Sequence, residues 1–246
     1  MEIYNNLIDR KQITNMDEWF KYAPPASGKG HWKKGRSAME SAKFWTEKQK
    51  VEKIQNFIID KGFPASFKFA VPEFCGVFDP YKNPRKHDLV IFTADNKSII
   101  TIESKADESF GDNSLLEEIR NSINEKIETP NSRKFERTIN LFSEYFLRNS
   151  ASLNLMYQLT YWFAASINQA QMLGIEKILM LNQFFYSARL NQKKISKNSK
   201  DFDSFVSFIS KEKFKSIEDD TIKGPILNEY TRGIELYVGK YKVNLS

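Results

Sequence analysis

The chain predicts a mixed α/β fold in which a central sheet is flanked by helices. Three observations carry that expectation. Two apolar runs, residues 87–93 and 98–106, surround the short polar turn Ala94-Asp95-Asn96-Lys97. Helix-like stretches stand on both sides of this pair, and two further strand-like runs follow at 175–185 and 234–243. Alternation of strands and helices in this way calls for a sheet covered by helices. With 246 residues, a hydrophobic fraction of 41% and no linker-like segment, residues 1–246 are expected to form one domain.

Taken in order, residues 16–22 are expected to form a short helix before a loop that contains Gly28, Gly30 and Gly35. Ser37-Ala38-Met39-Glu40 has the spacing of a capping box, so a helix should begin there and run, with a break, to the stop at Gly62 and Pro64. Residues 66–74 alternate as a strand, and Pro72 suggests an edge or exit position. The hairpin follows, because Asp-Asn suits a tight turn. Helices are expected near 114–128, 133–148 and 153–173, the last ended by Gly174. A buried strand, a helix at 202–212 and a final strand complete the order. The stretch 191–200, rich in lysine, asparagine and serine, reads as a mobile loop.

Composition narrows the chemistry. Cys75 is the only cysteine, which fits a reducing cytosol, and the first residues lack the pattern of a secretion signal. A cytoplasmic protein is therefore expected. Gln158, Asn168, Gln169 and Gln171 interrupt the most apolar helix, so it should be buried in protein rather than in a membrane. With one cysteine and only His31 and His87, a Cys/His zinc site or a histidine-based triad has little material. No Walker or dinucleotide glycine pattern is present. The net charge of +6 is compatible with phosphate-rich partners.

The hairpin register makes a sharper statement. With Ala94 opposite Lys97, cross-strand partners have numbers that sum to 191, so Asp88 faces Glu103. Side-chain alternation then puts Lys105 on the face of Glu103. Opposed carboxylates whose β carbons are roughly 5 Å apart repel unless a proton or cation intervenes. A divalent ion, Mg²⁺ or Mn²⁺, would resolve the conflict by taking oxygen ligands from Asp88 and Glu103. Lys105 would orient or deprotonate a water, or balance charge on a phosphate. The plain alternative is a structural ion pair of Lys105 with Glu103 and no open cleft.

Asp88 followed by Glu103-Ser104-Lys105, on a hairpin preceded by a helix and a strand, resembles the PD-(D/E)XK nuclease superfamily. "HWKKGRSA", "PEF" and "ESKADESFG" also look like an uncharacterised bacterial family within it. The resemblance implies a restriction-endonuclease-like αβββαβ core over residues 37–185, with extra helices after the catalytic hairpin. It implies a metal-dependent nuclease that hydrolyses nucleic acid, expected to be DNA, in restriction or phage defence. A catalytically inactive nucleic-acid-binding or assembly protein of the same fold is the alternative. His87 stands where the superfamily name has proline.

Superfamily members that add a glutamate from the first helix make Glu40 a catalytic candidate, in competition with its capping role. Others carry a glutamine with an aromatic four residues later. Gln158 and Trp162 have that spacing, although an aromatic helix would also place them by core packing. Glu73 could support a second metal or hold a water, and Glu108 reads as a solvated loop charge. Lys29, His31, Lys33, Lys34 and Arg36 form the candidate nucleic-acid contact, with Trp32 either stacking on a base or anchoring the loop. A homodimer is compatible with the sequence, and no residue pattern requires one.

Overall fold

The computed structural model describes residues 1–25, 28–64, 66–81 and 84–245. Four residues of the two expected loops, Ala26, Ser27, Lys82 and Asn83, lie outside them. The described chain is a mixed α/β structure built on a seven-stranded sheet.

The elements in chain order are β1 (Glu2–Ile3), α1 (Met16–Tyr22), α2 (Ser37–Trp45), α3 (Lys48–Asp60), β2 (Phe67–Gly76), β3 (Arg85–Thr93) and β4 (Ser98–Lys105). They continue with α4 (Leu115–Glu128), α5 (Lys134–Asn140), α6 (Tyr157–Leu173), β5 (Lys177–Tyr186), α7 (Gln192–Ile209), β6 (Thr221–Ile226) and β7 (Glu235–Asn244). In space the strands run β1-β2-β3-β4-β5-β7-β6. The β2–β3, β3–β4 and β6–β7 pairs are antiparallel, whereas β1–β2, β4–β5 and β5–β7 are parallel.

Strand alternation divides the core. Leu89, Ile91, Ile100 and Ile102 pack under α1, α2 and α3 with Trp19, Trp45 and Ile54. Val90, Ile99, Ile178, Met180 and Val238 face the other way, against Leu115 of α4, Trp162 and Phe163 of α6, and Phe202 and Phe205 of α7. Each fully buried large apolar side chain contributes roughly 1.5–3 kcal/mol relative to exposure. All eight residues of β4 are buried, so this strand is the centre of the molecule.

Local chemistry explains most boundaries. Asn15 accepts from the Glu18 N–H to start α1, and Ser114 with Glu117 forms a capping box on α4. Gly174 closes α6 in the left-handed region, with φ 65°. In the hairpin turn Asp95 accepts from the Lys97 N–H at 2.9 Å and from Thr93 Oγ1, while Asn96 takes φ 55°.

Several expectations are corrected. The capping box at Ser37 does not form: Arg36 is the N-cap, without a side-chain cap. Residues 191–200 are not a loop. Asn191 accepts from the N–H groups of Lys193 and Lys194, and α7 continues from Gln192 to Ile209. Ile195, Asn198, Phe202, Phe205 and Ile209 line its buried face, and the lysines take the solvent face. The expected helix at 133–148 is α5 followed by a π-helical turn, Leu141–Tyr145. Strand β6 was not foreseen, because Gly224 and Pro225 lie inside it. It is tolerated as an edge strand, where a missing N–H faces no partner. β2 extends past Pro72 to Gly76, since β1 pairs only at Phe69 and Ala70 and leaves that edge open at Pro72.

Candidate functional site

The ladder of β3 with β4 pairs Leu89 with Ile102, Val90 with Thr101, Ile91 with Ile100 and Phe92 with Ile99. Every pair sums to 191, which is the register expected from the turn. One step beyond the last pair the pattern changes. The Ser104 backbone N–H donates to Asp88 Oδ2 at 2.7 Å, so a carboxylate ends the ladder in place of a carbonyl.

Asp88, Glu103 and Lys105 line one cavity of about 460 Å³, together with Glu73, Lys86, Gln158, His31 and Ser37. Glu103 is 2% exposed and Lys105 6%. Lys105 Nζ donates to Glu103 Oε1 at 2.9 Å, and Gln158 Nε2 donates to the same oxygen. Lys105 Nζ also stands 5.0 Å from the centroid of the Phe110 ring. The ion pair and the open cavity therefore coexist. The sequence reading had opposed them.

Charge is concentrated here. Burial, and then the Glu103 charge, raise the Asp88 carboxyl well above the usual carboxylate range, against the pull of Lys105 and the Ser104 N–H. Glu73 is pushed up to about 7, mainly by burial, with Lys86 opposing and Glu103 adding to the rise. Lys86 Nζ lies 3.6 Å from Glu73 Oε2. Glu73 sits at φ 50°, a left-handed conformation that costs a non-glycine residue on the order of 1 kcal/mol. Among the described residues no group of three or more His, Cys, Asp or Glu is arranged to hold a metal ion.

The neighbouring elements hold this end of the sheet from both sides. From α6, Trp162 Nε1 donates to Thr101 Oγ1 at 3.1 Å, one helical turn from Gln158. On the other side Ser104 Oγ donates to Gln183 Oε1 at 3.1 Å, which also accepts from Trp45 Nε1 at 3.1 Å. Ser104 thus points toward α2 and β5. It is the residue between the glutamate and the lysine, and side-chain alternation alone could have assigned it to the face opposite theirs.

Other candidates are placed differently. Glu40 does not reach the Asp88 cavity. Its Oε1 accepts from the Gly35 N–H at 2.8 Å, and the residue lines a separate cavity. Glu108 is not a solvated charge: it accepts from the N–H groups of Ser37 at 3.1 Å and Ala106 at 3.2 Å, joining the start of α2 to the end of β4. Gln158 is more than packing, because it contacts Glu103, whereas Trp162 is 1% exposed and belongs to the core.

The basic loop is divided. His31 lines the acidic cavity, Lys34 lines the separate one, and Lys29 and Lys33 are exposed. Arg36 is engaged by Asp107 at 3.2 Å and Glu108 at 3.9 Å. Trp32 anchors the loop against Phe20, with ring centroids 5.0 Å apart. His87 is buried beside Gly76, where an added Cβ would stand 2.4 Å from His87 Nε2. Lys86 was missed, since nothing in the sequence distinguishes it from other lysines. No helix is long and apolar enough among the described residues to cross a membrane.

Comparison with curated proteins and with solved structures finds no match. The model of one family, described as Domain of unknown function (DUF6946), matches residues 12–245. That span takes in every strand except β1 and all of the cavity just described, and the chain belongs to this family.

Proposed function

We propose that the protein is a metal-dependent nuclease acting on phosphodiester bonds, with the cavity around Asp88 and Glu103 as its active site and DNA as its substrate. The observation that carries this reading is the meeting of two carboxylates and a lysine in one solvent-reachable cavity at the end of a buried hairpin. Bringing buried acids together in this way is costly, because each charge raises the cost of the next, and such clusters concentrate at functional sites. The succession of α3, three antiparallel strands, helices and a strand parallel to β4 also supports a likeness to the restriction-endonuclease-like core.

The donor chemistry fits a hard divalent cation such as Mg²⁺ or Mn²⁺. Asp88 and Glu103 would hold it, and the electrostatic pressure that raises the Asp88 carboxyl is the pressure a cation would relieve. When bound, such an ion supplies Lewis-acid stabilisation to charge that develops on a phosphate.

The chain's own residues supply the rest. Lys105, fixed by Glu103, presents a positive charge to a phosphate oxygen and stabilises the added charge as the phosphorus becomes five-coordinate. Glu73, whose carboxyl titrates at about 7, accepts a proton from the attacking water near neutral pH. The water oxygen bonds to phosphorus, the ester P–O bond breaks, and the leaving alkoxide takes a proton from solvent. Gln158 holds Glu103 in place.

A second reading has its own support. Glu103 Oε1 is already occupied by Lys105 and Gln158, as in a purely structural ion pair. The test is incubation of purified protein with supercoiled plasmid and with single-stranded DNA, with and without Mg²⁺ or Mn²⁺, beside Glu103→Gln and Asp88→Asn. Metal-dependent cleavage that both substitutions abolish supports the nuclease. Folded wild-type protein that cleaves neither substrate supports the structural pair, and DNA binding without cleavage supports an inactive binding protein.

A further inference from the structure

A second cavity, of about 470 Å³, opens where the parallel strands β5 and β7 end, and none of the residues given the roles above except Glu40 and Lys34 touches it. Its apolar wall comes from Phe44, Phe185, Leu190 and Val243. Phe44 and Phe185 belong to the core layer under α1–α3, on the sheet face opposite Gln158 and α6. No residue lines both cavities.

Its charge is one-sided. Lys34, Lys43, Lys50 and Arg189 line it, and the single acid among the lining residues, Glu40, has an oxygen on the Gly35 N–H. Lys50 is paired with Glu47 at 2.9 Å. Lys34, Lys43 and Arg189 make no ion pair among the described residues. Three uncommitted cations around an apolar wall suit a ligand that has a flat ring at one end and an anion at the other. Arginine offers a forked donor to phosphate, and the lysines add point charges. The size falls within the range of sites for small ligands, roughly 300–1,000 Å³.

We propose that this cavity binds a nucleoside monophosphate, with the base against the partly buried Leu190 and Val243 and the phosphate between Lys34, Lys43 and Arg189. The site does not depend on the hydrolytic reading and would stand without it.

Titration calorimetry with adenosine 5′-monophosphate tests it, with adenosine and inorganic phosphate as separate probes. Wild-type protein should bind the monophosphate, and each half-ligand should bind at least tenfold more weakly. Lys43→Glu and Arg189→Glu, both at exposed positions, should each weaken binding at least tenfold, which corresponds to about 1.4 kcal/mol. Asp88→Asn should leave binding unchanged, so failure here and failure of the nuclease reading are distinguishable. Circular dichroism checks that the variants are folded. The proposal is overturned if the monophosphate does not bind, if only a single-stranded oligonucleotide binds, or if a folded Lys43→Glu/Arg189→Glu double variant binds undiminished.

Discussion

The backbone N–H of Ser104 donates to Asp88 Oδ2 at 2.7 Å, so the hairpin that carries the candidate site is finished by the site's own acid. Asp88 has two demands on it. It completes the backbone pairing of β4, and it shares a cavity with Glu103 and Glu73.

Asp88→Asn separates those demands. The amide oxygen can still accept from Ser104, while the charge is gone. Metal-dependent cleavage is expected to fall by at least about 10²-fold. Stability at pH 8 is expected to rise, because the raised Asp88 carboxyl opposes folding wherever the unfolded chain is ionised. The advantage should shrink as pH falls through 3.8 and vanish at about pH 2.5, where the unfolded carboxyl also holds its proton. Urea melts at the two pH values measure it, and a loss of stability at pH 8 would refute the electrostatic account.

Glu73 gives stability its own pH dependence. Its carboxyl rises from an ordinary 4.5 to about 7 on folding. Below pH 4.5 both states hold the proton. Between 4.5 and 7 the unfolded chain releases it and the folded chain keeps it, so stability falls as pH rises. Above 7 the loss is constant, on the order of 3 kcal/mol. Glu73→Gln should flatten that part of the curve and remove any rise in cleavage rate through pH 7.

Divalent cation should stabilise the fold most where the acids are ionised. Thermal melts with Mg²⁺ are expected to shift more at pH 8 than at pH 5. At a concentration ten times Kd the gain is about 1.4 kcal/mol. Glu103→Gln should abolish the shift. An equal shift in wild type and variant would place the ion elsewhere.

Trp162→Phe removes the hydrogen bond to Thr101 and part of a buried ring, and is expected to cost about 1–3 kcal/mol. Gln158→Leu removes a donor from buried Glu103 and should cost about the same. The double variant should be less destabilised than the sum, because both contacts fix the same helix against the same strand. Strict additivity would mean that the two contacts act separately.

The hairpin was legible because its information is local: Asp95-Asn96 sets the turn, the turn sets the register, and the register sets Asp88 against Glu103. Glu40 was misread because its spacing from Ser37 imitates a cap, while the real partner of its carboxylate is the Gly35 N–H, a matter of how the preceding loop folds back. The α7 start was missed because lysine-rich composition masked Ile195 and Asn198, whose spacing matters only once a core exists to receive them. Glu73 was a candidate from the sequence, but its backbone strain was beyond reach, since a positive φ in a strand leaves no pattern in the residues themselves.

Gln158 and Trp162 engage Glu103 and Thr101 in reverse order, so α6 runs against the direction of β4. Four helical residues advance about 6 Å, and two strand residues about 6.6 Å. The two pitches nearly match, and the helix meshes with the strand as a gear with a rack. Sliding α6 by a single residue would unmesh both teeth together, so a pull on Gln158 from within the cavity would be felt along the whole helix.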